Sequence, residues 1–336
     1  VLERPAQVRR GERVVDDQGR RQIFFGRYAG LAGMINSLWS MGLRLKEAGY
    51  DTPFSQIKQA HHYSSLAEAR LAISKAGQQI AENGLPDALT PFTVAFTGYG
   101  NVSQGAQEII GLLPVIEISP DELLNLKKRS KIPNNLIYKI VFREEHLVEP
   151  IEPGIEFDLQ DYYTEPEKFR SAFEKYIPHI DMMINCVYWD IRYPRLVTKD
   201  YLQQLFAKGT PKLKVIGDIS CDVNGSVECT DKGTEIEDPI FVYHPDTRTH
   251  TMGHKGEGLL VMAVDILPSE LPRDSSAGFA DVLINYVKSI ADCDFSDDFL
   301  NLDLPFAIRS ALILHRGELT PHYKYLEEYV SMESNI

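Results

Sequence analysis

Short unbroken apolar runs alternate along this chain with longer stretches in which an apolar residue returns every three or four positions. The runs are Phe92 to Thr97, Leu113 to Ile118, Leu136 to Phe142, Met182 to Tyr188, Leu213 to Ile219 and Gly258 to Val264, and their length and continuity suit strands covered on both faces. Residues 29–45 carry Leu31, Ile35, Leu38 and Leu45 at helical spacing, with Gly30 and Gly33 on neighbouring turns, where small residues let backbones approach. A second helix is predicted from Ser65, with Glu68 three residues on as a capping box, Leu66, Ile73 and Ile80 on one face, and an end near Gly84 ahead of Pro86. Gln22 to Gly26 reads as a short strand, and helical patterns such as Phe279 to Val287 dominate after Asp274. Alternating strands and helices predict an α/β fold with a doubly wound parallel sheet, whose ligands bind at the carboxyl ends of the strands.

One junction in that pattern carries chemistry. The run ending at Thr97 is followed by Gly98-Tyr99-Gly100 and then by the amphipathic stretch Asn101-Val102-Ser103-Gln104-Gly105-Ala106-Gln107-Glu108-Ile109-Ile110. A strand, a two-glycine turn and a helix start together form the layout that binds a dinucleotide pyrophosphate. The first glycine makes the turn, the second lets backbone reach the phosphates, and the helix start offers free N–H groups. The candidate cofactor-binding residues are therefore Gly98, Gly100, Asn101, Val102 and Ser103; Ser103 stands where the usual third glycine would be, and the next glycine is Gly105. The alternative is an ordinary tight turn. Further candidates lie at predicted strand ends, Asn185, Asp218 and Asp265. A carboxylate at Asp265 can accept from ribose hydroxyls or cap a helix.

The 336 residues suffice for two domains, and a hydrophobic content of 43% with 25% charged residues is ordinary for a globular chain. A formal charge of −13 argues against a nucleic-acid partner, which needs clustered cations. No run approaches a membrane span in length, so no membrane partner is expected. Cys186, Cys221, Cys229 and Cys293 lack metal or disulfide spacing, and His61, His62, His250 and His254 lack ligand spacing, so no metal site is expected.

Several separated segments resemble one family. They are Phe25-Gly26-Arg27-Tyr28-Ala29-Gly30, Thr52-Pro53-Phe54, Phe96 to Glu108, Asn185-Cys186-Val187-Tyr188-Trp189, Gly217 to Asp222 with Gly225-Ser226-Val227-Glu228, Val264 to Pro268, and Arg316-Gly317-Glu318-Leu319-Thr320. In this order they are similar to the lysine-ketoglutarate reductase (saccharopine dehydrogenase, lysine-forming) part of the aminoadipic semialdehyde synthases. The resemblance implies an alanine dehydrogenase/transhydrogenase type of fold with a Rossmann-like nucleotide domain and a partial substrate domain. It places a remnant of the substrate domain at 1–25, the nicotinamide dinucleotide-binding domain at 26–273 and a helical return at 274–336. It implies reductive condensation of L-lysine with 2-oxoglutarate to saccharopine, with NADPH as cofactor and NAD as the lesser expectation.

By position, Glu12 and Arg21 match a carboxylate and an arginine lining the family's active site, and Asp265 an aspartate near the nicotinamide ribose. As bare residues, Glu12 and Arg21 are equally readable as solvated members of a charged turn. The resemblance places the acid–base Lys and His upstream of Val1, so the chain alone is expected to bind cofactor with little turnover. It also implies a cytoplasmic location, with the mitochondrial matrix as the alternative, a fused saccharopine-oxidising domain and self-association. The competing functions are a catalytically inactive NAD(P)-binding regulatory module and another amino-acid dehydrogenase of the alanine dehydrogenase type. For the NADPH preference, Lys127-Lys128-Arg129 are the candidate cations, while Glu117 and Asp121 are acids that would favour NAD.

Overall fold

A computed structural model of the chain describes residues 14–332. Two compact units divide it, Gly26–Pro272 and the two chain ends, up to Phe25 and from Arg273. The larger unit runs α1 (Gly26–Glu47), α2 (Leu66–Asn83), β1 (Phe92–Thr97), α3 (Asn101–Ile110), β2 (Val115–Glu117), α4 (Pro120–Asn125), β3 (Ile137–Phe142), α5 (Glu144–Leu147), β4 (Val148–Pro150), α6 (Leu159–Thr164), β5 (Phe169–Ser171), β6 (Met182–Asn185), α7 (Lys199–Phe206), β7 (Val215–Asp218), β8 (Ile240–His244), β9 (Thr249–Met252) and β10 (Leu259–Met262).

Eight of these strands form one sheet in the order β2-β3-β1-β6-β7-β10-β8-β9. Neighbours from β2 to β10 pair parallel, and β8 and β9 add an antiparallel edge. Successive residues point to opposite faces, and each face has its own core. Val94 and Phe96 of β1 pack with Leu31, Ile35 and Ile73 of α1 and α2, whereas Ala95 joins Tyr138, Ile140, Phe173 and Leu202 on the other side. Every residue of β1 is buried, which is why the run has no polar alternation.

α1 is the helix nearest the sheet's centre, and its sequence fits that place. Leu31, Ile35, Leu38 and Leu45 are fully buried, and so are Asn36, Ser37 and Ser40. The two hydroxyls are satisfied within the helix, Ser37 Oγ donating to the Gly33 carbonyl and Ser40 Oγ to that of Asn36, each at 2.7 Å. The helix ends where Gly49 takes φ +84°; its amide donates to Lys46 O and that of Tyr50 to Leu45 O, satisfying the last turn's carbonyls. At the start of α2, Ser65 accepts from the Glu68 amide as predicted, but the Glu68 carboxylate turns to the amide and hydroxyl of Ser64.

Three differences from the sequence pattern have physical reasons. Gln22 to Gly26 forms no strand: Val15 and Arg21 make a single bridge around a tight turn, and the residues after it lead directly into α1. The run Met182 to Tyr188 stops pairing at Asn185, and Tyr188 is 81% exposed. The β8–β9 hairpin breaks the purely parallel expectation; its signals are the run Ile240-Phe241-Val242-Tyr243 and the turn residues Pro245-Asp246 after it.

In the chain-end unit, α8 (Pro272–Asp292), α9 (Phe306–Ala311), the short hairpin of β11 (Leu314–His315) and β12 (Glu318–Leu319), and α10 (Glu327–Met332) follow in order. Its core is small: Val14, Ile23 and Ala307 are buried against Phe279, Val282, Leu283 and Tyr286, and Phe25 stacks on Phe279 with ring centroids 5.8 Å apart.

Candidate active site at the carboxyl edge of the sheet

β1 ends at Thr97, and the chain turns through Gly98 in the left-handed region at φ +86°. The Gly98 amide donates to Phe142 O at 3.0 Å, so the turn is tied to the end of β3. Gly100 is the N-cap of α3 and offers no side-chain cap, leaving the first-turn amides of Asn101, Val102 and Ser103 to other acceptors. A Cβ built on Gly100 meets nothing within 4 Å. The turn is thus an open cradle of backbone donors at the positive end of a ten-residue helix, the donor set a pyrophosphate requires.

Ser103 is fully buried and its hydroxyl accepts from Gln107 Nε2 at 2.9 Å, so its side chain points into the protein while its amide belongs to the first turn of α3. Close approach falls instead to Gly105: a Cβ there would land on the Arg27 carbonyl of α1, as one on Gly30 would land on the Val102 carbonyl of α3. The two glycines let α1 and α3 touch backbone to backbone behind the turn.

Thr97, Asn185 and Asp218 are register partners at the ends of β1, β6 and β7. Their side chains form one buried polar rung. Thr97 Oγ1 donates to Asn185 Oδ1 and Asn185 Nδ2 to Asp218 Oδ1, both at 2.8 Å; Thr230 Oγ1 and the Cys221 amide also donate to the Asp218 carboxylate. Burial pushes the Asp218 carboxyl above its ordinary range, opposed by the bonds from Thr230, Asn185 and Cys221. Asn185 and Asp218 therefore have their polar atoms engaged by protein and lock the edge from beneath. Asp265 differs: it is exposed just beyond β10, and among the described residues its carboxylate has no hydrogen bond or ion pair.

Arg21 lies in the chain-end unit, with Nε donating to Ile23 O at 2.8 Å. Glu12 lies outside the described residues. Cys186 and Cys221 are free thiols raised well above the ordinary thiol range by burial, which rules out a ready thiolate at either. His61 Nδ1 is 3.3 Å from the buried carboxylate of Glu270, which also accepts from Asn36 Nδ2 at 2.6 Å. Among the described residues no group of His, Cys, Asp and Glu is arranged to hold a metal.

The basic cluster Lys127-Lys128-Arg129 lies away from the glycine turn. Lys212 donates to Pro91 O ahead of β1, at the amino edge of the sheet, and its pKa is lowered by burial first and then by the neighbouring charges of Lys214 and Lys127. A six-residue strand separates the two edges by about 20 Å. Lys128 donates to Asn125 and Arg129 pairs with Glu122. Glu117 is ion-paired to Lys139 at 2.7 Å on the outermost strand. The cation at the turn is Arg143, the residue after β3, whose guanidinium carbon lies 4.7 Å from the ring centroid of Tyr99. The sequence marked it only as a charged residue directly following an apolar run.

The fold and this edge define a dinucleotide-binding α/β protein. Residues 155–322, half of the chain, match the family described as alanine dehydrogenase/PNT, C-terminal domain, and the chain belongs to that family. Among relatives, the alpha-aminoadipic semialdehyde synthase of Arabidopsis thaliana is 39% identical over 94% of this chain and 30% of its own length. The mitochondrial alpha-aminoadipic semialdehyde synthase of Mus musculus is 35% identical over 94% of this chain and 35% of its own. The saccharopine dehydrogenase [NAD(+), L-lysine-forming] of Schizosaccharomyces pombe is 31% identical over 83% of this chain and 61% of its own. The chain thus spans about a third of the synthases it matches. A solved L-alanine dehydrogenase has the same fold, with a TM-score of 0.51 at 15% identity, covering 95% of this chain and 68% of that one.

Proposed function

We propose that the protein is the reductase that joins L-lysine to 2-oxoglutarate and reduces the product to saccharopine with NADPH. The observation that carries this reading is the open glycine cradle at the start of α3, in a chain similar along 94% of its length to proteins named aminoadipic semialdehyde synthase. The ε-amine of lysine and the keto carbon of 2-oxoglutarate lose water to give an imine; that carbon then takes a hydride while the nitrogen holds the proton. Bound NADPH supplies the hydride.

The chain's own residues have separable roles in that scheme. Gly98, Gly100 and the amides of Asn101, Val102 and Ser103 hold the pyrophosphate. Asp265, exposed at the end of β10, accepts from ribose hydroxyls on the nicotinamide side. Asn185 and Asp218 act indirectly, fixing the strand ends from which the loops spring. Arg21 is the proposed clamp for a substrate carboxylate, its planar fork suited to bidentate pairing, and Glu12 its proposed acidic neighbour. We place the protein in the cytoplasm, against the mitochondrial designation of the mouse relative.

The test follows NADPH absorbance with L-lysine and 2-oxoglutarate, using the protein expressed from its whole reading frame. Oxidation that stops when either substrate is omitted is the expected result. Cofactor binding without turnover would replace this reading with that of a regulatory binding module. Turnover with pyruvate and ammonia in place of both substrates would replace it with an alanine dehydrogenase.

A further inference from the structure

In the usual dinucleotide fold the strand after the glycine helix pairs with the first strand, and the residue at its carboxyl end faces the adenosine ribose, an acid for a free 2′-hydroxyl or an arginine for a 2′-phosphate. Here that strand has moved. β2 lies at the sheet's edge, and β3 occupies the place beside β1. Glu117 at the end of β2 pairs in register with Lys139, three residues short of the end of β3, so it is both one strand too far out and set back from the edge. The ribose position passes to the residue that follows β3.

That residue is Arg143. Thr97 and Phe142 are register partners, and the Gly98 amide bonds to Phe142 O, so Arg143 leaves the sheet directly beside the glycine turn. Its guanidinium lies over Tyr99, the residue between the two glycines. The Arg143 amide donates to His146 Nδ1, but among the described residues its guanidinium makes no hydrogen bond or ion pair, although Glu144 and Glu145 are its chain neighbours. Glu144 is engaged elsewhere, accepting from the Tyr163 hydroxyl at 2.8 Å. A planar cation held by stacking, with its N–H edge unspent and next to a pyrophosphate cradle, matches a phosphate monoester.

We propose that Arg143 recognises the 2′-phosphate of the cofactor and thereby selects NADPH over NADH, an inference that rests on the cofactor reading above. Tyr99 positions it by holding the guanidinium over its ring, beside the glycine turn.

Calorimetric titration with 2′,5′-ADP and with 5′-ADP isolates this contact from the nicotinamide and from turnover. The parent protein is expected to bind 2′,5′-ADP at least ~10-fold more tightly than ADP, and Arg143→Ala to lower 2′,5′-ADP affinity by roughly 10- to 100-fold with little change for ADP. Arg143→Lys should recover only part of the loss, keeping a charge but not the fork. Arg143 is exposed, and a thermal melt matching the parent's confirms that either variant is folded. An unchanged preference in folded Arg143→Ala overturns the assignment. So does a parent that binds both nucleotides equally, or one that prefers ADP and loses it in Glu144→Gln, which would make Glu144 the ribose acid. A parent that binds neither nucleotide sinks the cofactor reading itself, and this inference with it.

Discussion

Gly98 and Gly100 stand two residues apart and are held to glycine by different constraints. Gly98 has φ +86°, where an L side chain is strained by about 1–2 kcal/mol, and its Cβ would also press the Cys186 carbonyl at 3.3 Å. Gly100 has φ −72°, ordinary for any residue, and open space where a Cβ would go. If that space belongs to pyrophosphate, the two substitutions separate. Gly100→Val should leave the melting temperature within a few degrees of the parent, since the change of N-cap costs about 1 kcal/mol or less, yet weaken NADPH binding at least ~10-fold. Gly98→Ala should lose stability as well as affinity. Paired melting and titration measurements decide it, and full affinity in Gly100→Val would remove the pyrophosphate from this turn. At the same scale the sequence was only half legible. It located Asn185 and Asp218 at strand ends, but a strand-end position does not say which way a side chain points, and both point inward. Arg143 was missed because its neighbour across the sheet is set by strand order, which local periodicity does not encode.

Between elements, the contact of α1 with α3 decides where the cradle sits, because α3 carries the amides and α1 backs it. Two features hold that contact: the glycine pair, Gly30 and Gly105, and Glu108 of α3, which takes Arg27 of α1 bidentately at 2.6 and 2.7 Å and Arg70 of α2 at 2.8 Å. They should differ in weight. Gly105→Val puts a side chain on the Arg27 carbonyl and should cost about 3 kcal/mol or more, since neither helix backbone can yield. Glu108→Gln loses a half-exposed, solvent-screened network and should cost about 0.5–1 kcal/mol. Its loss carries a sign with pH. Hydrogen bonding to Arg27 first, then charge, holds the Glu108 carboxyl below its ordinary 4.5, so its contribution is present above that value and fades as pH falls through the lower folded one. Urea unfolding of parent and Glu108→Gln should therefore converge in acid and diverge near neutrality; a gap that widened in acid would contradict the pairing. Elements of this kind were the most legible part of the chain: α1, α2 and the six runs all appear, and Ser65 and Gly84 cap α2. The strand expected at 22–26 failed because five residues with three apolar side chains and no neighbouring edge have nothing to pair with.

For the whole molecule, the position in one unit of every residue proposed to hold the cofactor or to brace its cradle has a consequence for folding. The glycine turn, Tyr99, Arg143, Asp265 and the Thr97–Asn185–Asp218 rung all fall within Gly26–Pro272, as do both cores that sandwich the sheet. The doubly wound character was readable from alternation alone, whereas the antiparallel edge and the outward move of β2 were not, since both depend on which strands meet. A unit with two closed cores and its own ligand cradle is of a size that folds as a single domain. Residues 26–272 expressed alone are therefore expected to unfold in one cooperative urea transition and to bind 2′,5′-ADP within about threefold of the whole chain's affinity, a small change on the scale of roughly 1.4 kcal/mol per tenfold. A broad transition with exposed apolar surface would mean that the chain ends complete the core. A sharp transition with affinity lost would instead overturn the assignment of the adenosine site to residues 26–272 alone.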